Sequence, residues 1–144
     1  MSVSHILKLK GRDVITVLPG ATVKAVAEVL ATNRIGAVIV SSGGGKIEGI
    51  VSERDIVRAV ATAGAAALDK HASTVMSKDV KTCREEDSET ELMALMTQHR
   101  IRHLPVAVNG KLSGMISIGD VVKFRIEEIE RDAADMKAYI AGSA

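Results

Sequence analysis

Two short stretches carry the residue types best placed to do chemistry: Ser52-Glu53-Arg54-Asp55 and Ser117-Ile118-Gly119-Asp120. Each sets a hydroxyl and a carboxylate three residues apart, after an apolar run that opens on a glycine, Gly49 or Gly114. At a strand-to-helix junction this spacing is close to a capping box, with the serine accepting from an early helix amide. The same corner can also hold a ligand. A helix N-terminus presents unpaired amides and a partial positive charge to an anion such as phosphate. An aspartate beside it accepts hydrogen bonds well from vicinal hydroxyls of the kind ribose offers. Serine and aspartate have the hydrogen-bonding capacity for both roles, so capping and binding are compatible.

A phosphate calls for cations, and the candidates are Arg34, Arg54, Arg100, Arg102 and His103. Arginine grips phosphate through two parallel hydrogen bonds. Arg54 falls in the first helical turn, where a cation opposes the helix dipole, so a functional reason for it competes evenly with an ordinary surface charge. Arg34 and Arg100 stand at equivalent places after a helix, where stabilising the C-terminal end competes with phosphate binding. His103 would sense pH if it touched phosphate. Other features carry less. His99 and His103 are four apart with no third ligand evident, so no metal site is expected. Cys83 has no identifiable activating base and reads as a small apolar residue in or near a strand. Gly43-Gly44-Gly45 reads as a turn, lacking both the dinucleotide-binding spacing and the lysine-serine ending of a P-loop.

The elements that must position these corners come in duplicate. Asp13-Val14-Ile15-Thr16-Val17 matches Asp79-Val80-Lys81-Thr82-Cys83 at an offset of 66 residues, and the same offset carries 33–40 onto 99–106. Past the next turn the offset is 65, where Gly49–Val57 overlays Gly114–Val122. In each half an extended segment at Thr16 or Thr82 leads to a helix. Thr22 can cap the first, and Ser88-Glu89-Thr90-Glu91 is a capping box for the second. An apolar strand follows (37–40 or 104–108), then a turn made by the glycines or by Asn109-Gly110, a strong hairpin signal. A partner strand (47–51 or 112–116) then runs into a second helix. The order is β-α-β-β-α, twice. Val121 to Ile140 reads as a long amphipathic helix, with Val122, Ile126, Ile129 and Met136 among charges. The expected organisation is an N-terminal segment plus first domain over 1–61, an Ala-rich linker with some helical content over 62–75, a second domain over 76–125 and a C-terminal helix over 126–144.

Composition bounds the partners. Of 144 residues, 47% are hydrophobic and 26% charged, enough for a real core and a soluble surface. One Phe, one Tyr and no Trp leave almost no aromatic platform, which argues against single-stranded nucleic acid binding. Nineteen basic and eighteen acidic residues give a net charge of +1, so no global field attracts a polyanion and any anion must be held locally. A single cysteine excludes an internal disulfide framework. The N-terminus is too charged, with too short an apolar stretch, to read as a signal peptide, and no run approaches bilayer-spanning length. A cytoplasmic location without membrane insertion is the expectation.

Two copies of a β-α-β-β-α unit, closed by Gly49-Ile50-Val51-Ser52-Glu53-Arg54-Asp55 and Gly114-Met115-Ile116-Ser117-Ile118-Gly119-Asp120, resemble a pair of CBS domains, a Bateman module. Arg102-His103-Leu104-Pro105-Val106 is similar to that family's second-strand pattern, and the likeness covers about residues 10–125. The resemblance implies an α/β fold of two CBS domains with pseudo-two-fold symmetry. It also implies a regulatory module that binds AMP, ADP, ATP, NAD(H) or S-adenosylmethionine between the halves. Under it, Asp55 and Asp120 hold ribose hydroxyls, and Ser52 and Ser117 face the ribose–phosphate part. Thr16 and Thr82 approach the nucleotide. Gly36-Ala37 and His103-Leu104-Pro105 flank the base, and the phosphate candidates Arg54 and Arg102 complete the expected ligand-binding set. It implies a homodimer through the second helices, which carry Ile56, Val57, Val60, Val121 and Val122. The first half has Ile35-Gly36-Ala37-Val38 where the second has Ile101-Arg102-His103-Leu104-Pro105, so the two sites need not be equal.

The leading expectation is therefore a non-catalytic adenine-nucleotide sensor. Because the repeats consume almost the whole chain, its output is expected to pass to a separate regulated protein or to the oligomer. The alternative is a ligand-free structural module that pairs through its apolar helices. An enzyme ranks last, since no nucleophile–base or paired-carboxylate arrangement can be assigned.

Overall fold

Hydroxyl caps start the helices that the duplication calls for, and left-handed residues stop them. In the computed structural model, which describes residues 2–142, Thr22 Oγ1 accepts from the Ala25 amide at 3.1 Å and opens α2 (Val23–Asn33). Ser88 does the same for α5 (Glu89–His99), accepting from the Glu91 amide at 3.1 Å. Both helices end on an arginine in the left-handed region: Arg34 at φ 54°, ψ 46° and Arg100 at φ 54°, ψ 45°. The conformation is uncommon outside glycine and asparagine, and its recurrence at the same offset is a structural mark of the repeat. Met1, Ser143 and Ala144, the ends of the expected N-terminal segment and C-terminal helix, lie outside the described residues.

Each half then forms a hairpin. In the first, β2 (Ala37–Val40) pairs antiparallel with β3 (Gly49–Ser52), setting Ala37 opposite Ser52 and Val40 opposite Gly49. In the second, β4 (His103–Val108) pairs with β5 (Lys111–Ser117), setting His103 opposite Ser117 and Val106 opposite Gly114. The registers coincide under the repeat. Asn109 (φ 53°) and Gly110 (φ 77°) make the tight turn with two positive φ angles, as that dipeptide favours. The first strands differ. β1 (Thr16–Val17) lies parallel to β2, whereas its counterpart in the second half makes a single parallel bridge, Cys83 to Val106. The corner helices are α3 (Glu53–Ala63) and the 25-residue α6 (Ile118–Gly142), which continues unbroken through position 125.

The cores are exchanged at their entrances. Helix α1 (Val3–Lys10) precedes the first half, yet Val3, Ile6 and Leu7 are buried in the second half's core with Leu92, Leu104, Ile116 and Phe124. Conversely, segment 62–75 carries a 3-10 helix (Gly64–Asp69) and α4 (Ala72–Val75), and is stitched into the first half. Ala72 is buried there with Val26, Val38 and Val51, and the Ala72 amide donates to the Ala21 carbonyl at 2.7 Å. Two equivalent glycines make room. A Cβ on Gly49 would lie 2.4 Å from Met76 Sδ, and one on Gly114 would lie 2.8 Å from Leu7 Cδ2. Each half thus receives the entry segment of the other over a strand left bare at one position. Among the described residues no helix is long and apolar enough to cross a membrane.

Candidate functional site

Both Ser-x-x-Asp corners are capping boxes. The Ser52 amide donates to Asp55 Oδ2 at 2.8 Å, and the Asp55 amide donates to Ser52 Oγ at 3.2 Å. Ser117 and Asp120 repeat this at 2.8 and 3.1 Å. In each case Oδ2 carries the cap, so the second carboxylate oxygen stays available. One further hydrogen bond ties each corner to the residue just before the neighbouring strand, β2 or β4: the Glu53 amide to the Gly36 carbonyl at 2.9 Å, and the Ile118 amide to the Arg102 carbonyl at 2.8 Å.

A cleft of about 490 Å3 opens over the first corner, within the usual range for small-molecule sites. The first half contributes Gly36, Ala37, Ile50, Ser52, Glu53, Arg54, Asp55 and Arg58. The second contributes Ser77, Asp79, Val80, Lys81 and the run His99 to His103. Five fixed cations (Arg54, Arg58, Lys81, Arg100, Arg102) face three carboxylates (Glu53, Asp55, Asp79). Lys81 is partly spent on Asp79, with Nζ 3.2 Å from Oδ2. Among the described residues the four arginines make no ion pair, and neither does Asp55. Unpaired guanidinia beside the amide-rich start of α3 suit an anion, and the spare carboxylate oxygen suits hydroxyl donors.

His103 reaches into this cleft from the second half, and Gly36 is why it can. A Cβ at position 36 would lie 3.0 Å from His103 Cε1. Burial, then the nearby Lys10, lowers the His103 pKa, with Arg102 adding to it; Asp120 and Glu53 pull the other way. The imidazole is therefore neutral at pH 7 and able to accept as well as donate a hydrogen bond.

Of the residues singled out from the sequence, the cleft gathers Gly36, Ala37, Ser52, Arg54, Asp55, Arg102 and His103. Leu104 and Pro105 lie buried in β4, Leu104 within the second core, so only backbone could serve a ligand there. The Pro105 carbonyl already accepts from the Cys83 amide at 3.0 Å. Thr16, the first residue of β1, and Thr82, just before the Cys83 bridge, are exposed and outside the cleft lining. Ser117 and Asp120 form the second corner, where Lys10 Nζ pairs with Asp120 Oδ2 and donates to the Met115 carbonyl at 2.6 Å. Burial raises the Asp120 pKa, but the hydrogen bonds from Lys10 and Ser117 outweigh it and hold the carboxyl below its ordinary value. Sequence reasoning missed Lys10, Lys81 and Arg58. Arg58 was discoverable, being one helical turn after Arg54 and so on its face. Among the described residues no cluster of three metal-ligating side chains exists. Burial, then the Asp87 charge, pushes the Cys83 thiol up to about 12, so it is inert.

Tandem β-α-β-β-α halves with exchanged entry helices, and a polar cleft between them at a capped strand-to-helix corner, define a paired α/β module. The family model for the CBS domain matches this chain twice, over residues 3–62 and 72–127, and the chain belongs to that family. It is similar to the CBS-domain containing protein ATU1752 of Agrobacterium tumefaciens, a crystal structure with 46% identity and a TM-score of 0.84. That match covers 87% of this chain and 99% of the other. It is also similar to the CBS domain protein PAE2072 of Pyrobaculum aerophilum, solved in complex with AMP, at 32% identity and a TM-score of 0.74, covering 83% and 89% of the two chains. The Arabidopsis thaliana CBS domain-containing protein CBSX3, mitochondrial, is 30% identical across 98% of this chain. The chain spans 72% of that relative's length and 66% of the next two relatives'.

Proposed function

We propose that this chain is a non-catalytic regulatory module that binds a phosphate-bearing adenosine ligand in the cleft between its two halves. One observation carries the reading: the Asp55 carboxylate with a spare oxygen, the positive N-terminal end of α3 and arginines from both halves meet in one cleft. Hydroxyls at the carboxylate and phosphate at the helix end and guanidinia are the complementary ligand. The excess of cations favours AMP, ADP, ATP or NAD(H) over S-adenosylmethionine, whose sulfonium would add positive charge. The AMP complex of the Pyrobaculum relative supports the adenosine part. The Ser52 and Ser117 hydroxyls are each engaged in a helix cap, accepting from the Asp55 and Asp120 amides, which supports binding rather than turnover.

The cleft walls come from both halves, so a ligand favours the arrangement in which both touch it, the differential affinity a switch requires. A homodimer through α3 and α6 belongs to the same proposal. Val57 and Val60 on α3 and Val122 and Ile126 on α6 are exposed, and an apolar groove of about 500 Å3 runs along Ile118, Val122 and Ile126. That face also favours the second reading, a pairing module with an empty cleft. Calorimetry with AMP, ATP and NAD separates the two. Saturable binding is expected. No heat and no thermal shift across the panel would leave the pairing module, since any ligand of the folded state raises its stability by mass action.

A further inference from the structure

We propose that Lys10 is a built-in occupant of the second Ser-x-x-Asp corner, so that the chain takes its nucleotide at the Asp55 corner alone. The proposal rests on the nucleotide reading of the cleft and adds which corner is open. The two corners share register, caps and backbone bonds, yet they differ in what the entry segment brings to them. At the first, the segment delivers Met76, an uncharged side chain packed over Gly49. At the second, Leu7 packs over the equivalent Gly114, and the residue 66 positions before Met76 is Lys10. Its ammonium sits on Asp120 Oδ2, the oxygen that also carries the cap, and on the Met115 carbonyl, so a cation already stands at the corner and meets the charge of the carboxylate that ribose hydroxyls would seek.

Lys10 is not a loose side chain that happened to land there. Helix α1 is pinned by Val3, Ile6 and Leu7 in the second core, by the Val3 amide on the Asp87 carbonyl and by the Ser4 amide on the Glu85 carbonyl, both at 2.9 Å. Just beyond, Arg12 pairs with Glu85 and donates to Ser113 Oγ at 2.9 Å. Lys10 therefore leaves a helix end held on both sides, with only a third of its side chain exposed. The surroundings agree. Gly119 stands where the first corner has Arg54, and Gly36 where it has Arg102. The second corner thus lacks two cations that a phosphate would use at the first.

Stoichiometry by titration calorimetry with AMP tests this. One AMP per chain is expected for the native protein, one bound roughly 10- to 150-fold more weakly for Asp55→Asn, and one with unchanged affinity for Asp120→Asn. Lys10→Met, which keeps the apolar stem, is expected to add a second and weaker event, whereas Lys10→Arg stays at one. Two events in the native protein, or a single event in Lys10→Met, would overturn the proposal. A second measurement needs no nucleotide: labelling of Lys10 by an amine-reactive ester, read by mass spectrometry. Asp120→Asn is expected to raise Lys10 labelling several-fold, and saturating AMP to leave it unchanged in the native protein. Lys10 labelled equally in both proteins overturns the ion pair, and protection of Lys10 by AMP makes it a phosphate ligand instead. If no protein binds AMP but the labelling responds to Asp120→Asn, the nucleotide reading fails while the occupied corner stands.

Discussion

Asp55 has two jobs in this account, and replacing it separates them. Asp55→Ala removes the oxygen that accepts from the Ser52 amide at 2.8 Å and from the Ser52 hydroxyl at 3.0 Å. Breaking a capping interaction of this kind costs about 1 kcal/mol, which lowers Tm by about 2–4 °C in a chain of this size. The ligand loses more. Hydrogen bonds from hydroxyls to a carboxylate are worth about 1.5–3 kcal/mol, so AMP affinity should fall by roughly 10- to 150-fold. Asp55→Asn keeps an acceptor for the amide but removes the charge, and should retain most of the Tm while losing most of the affinity. Ser88→Ala supplies the control. It breaks an equivalent cap on α5, where Ser88 Oγ accepts from the Glu91 amide at 3.1 Å, outside the cleft lining. It should lower Tm by a similar amount and leave affinity intact. The assay is calorimetric titration at 25 °C alongside thermal melts. Asp55→Ala and Ser88→Ala both losing a few degrees with unchanged affinity would show that Asp55 is a cap and nothing more.

The paired glycines predict unequal damage. Gly49→Ala brings its methyl against Met76 and also within 2.9 Å of the Ser77 carbonyl oxygen, which is backbone, whereas Gly114→Ala meets only the flexible end of Leu7. Both should destabilise by about 1–3 kcal/mol, Gly49→Ala more in urea titration, and Leu7→Ala should offset part of the Gly114→Ala loss only. The folded pKa of His103 lies below its unfolded value of 6.5, so between the two the unfolded chain binds the proton first. The stability it contributes is whole above pH 6.5 and falls on acidification until the folded imidazole also titrates. His103→Gln should flatten that part of the stability–pH curve, and an unchanged slope would refute the assignment. Cys83, buried and pushed up to about 12, should resist iodoacetamide at pH 7.5 in the folded protein and react fully in urea.

What could be read ahead of the structure was whatever local chemistry dictates. Asn109-Gly110 needed only its two positive φ angles to announce a hairpin, and Ser52 and Ser117 needed only the aspartate three residues on. The duplication supplied register for both sheets, because a repeat that preserves Gly49 and Gly114 preserves the residues opposite them. Contacts made at long range were not legible. Nothing local in residues 3–10 shows that Val3, Ile6 and Leu7 enter the second core. Lys10 follows from that crossing and so carried no signal of its own. Leu104 and Pro105 illustrate a different limit. A resemblance names a stretch, while burial sorts it residue by residue: His103 is half-buried beside the cleft, and the next two positions are buried in the strand. Thr82 sits in a segment that matches β1 in type yet pairs only once, at Cys83, so sequence likeness overstated the strand.

The exchange of entry helices also limits how a ligand in the cleft can act. Two halves on a free tether would hinge, but here α1 is rooted in the second core and α4 in the first, so opening the module as a hinge would expose both. The parts that can yield are the cleft's own walls: the run from Ser77 to Lys81, and α3, which has no fully buried residue. Helix α3 starts at the Ser52 cap and carries Val57 and Val60 exposed on its outer side. At 1.5 Å per residue, Val57 is about 7.5 Å along the axis from Ser52. Under the proposed function, a ligand that pulls on Asp55 and the start of α3 would move, as one rigid rod, the apolar face proposed for pairing. Linkage then fixes the consequence: whatever factor the nucleotide applies to dimer affinity, dimerisation must apply to nucleotide affinity. A sensor of the proposed kind needs no long pathway, because the proposed site and the proposed pairing surface are two ends of one short helix.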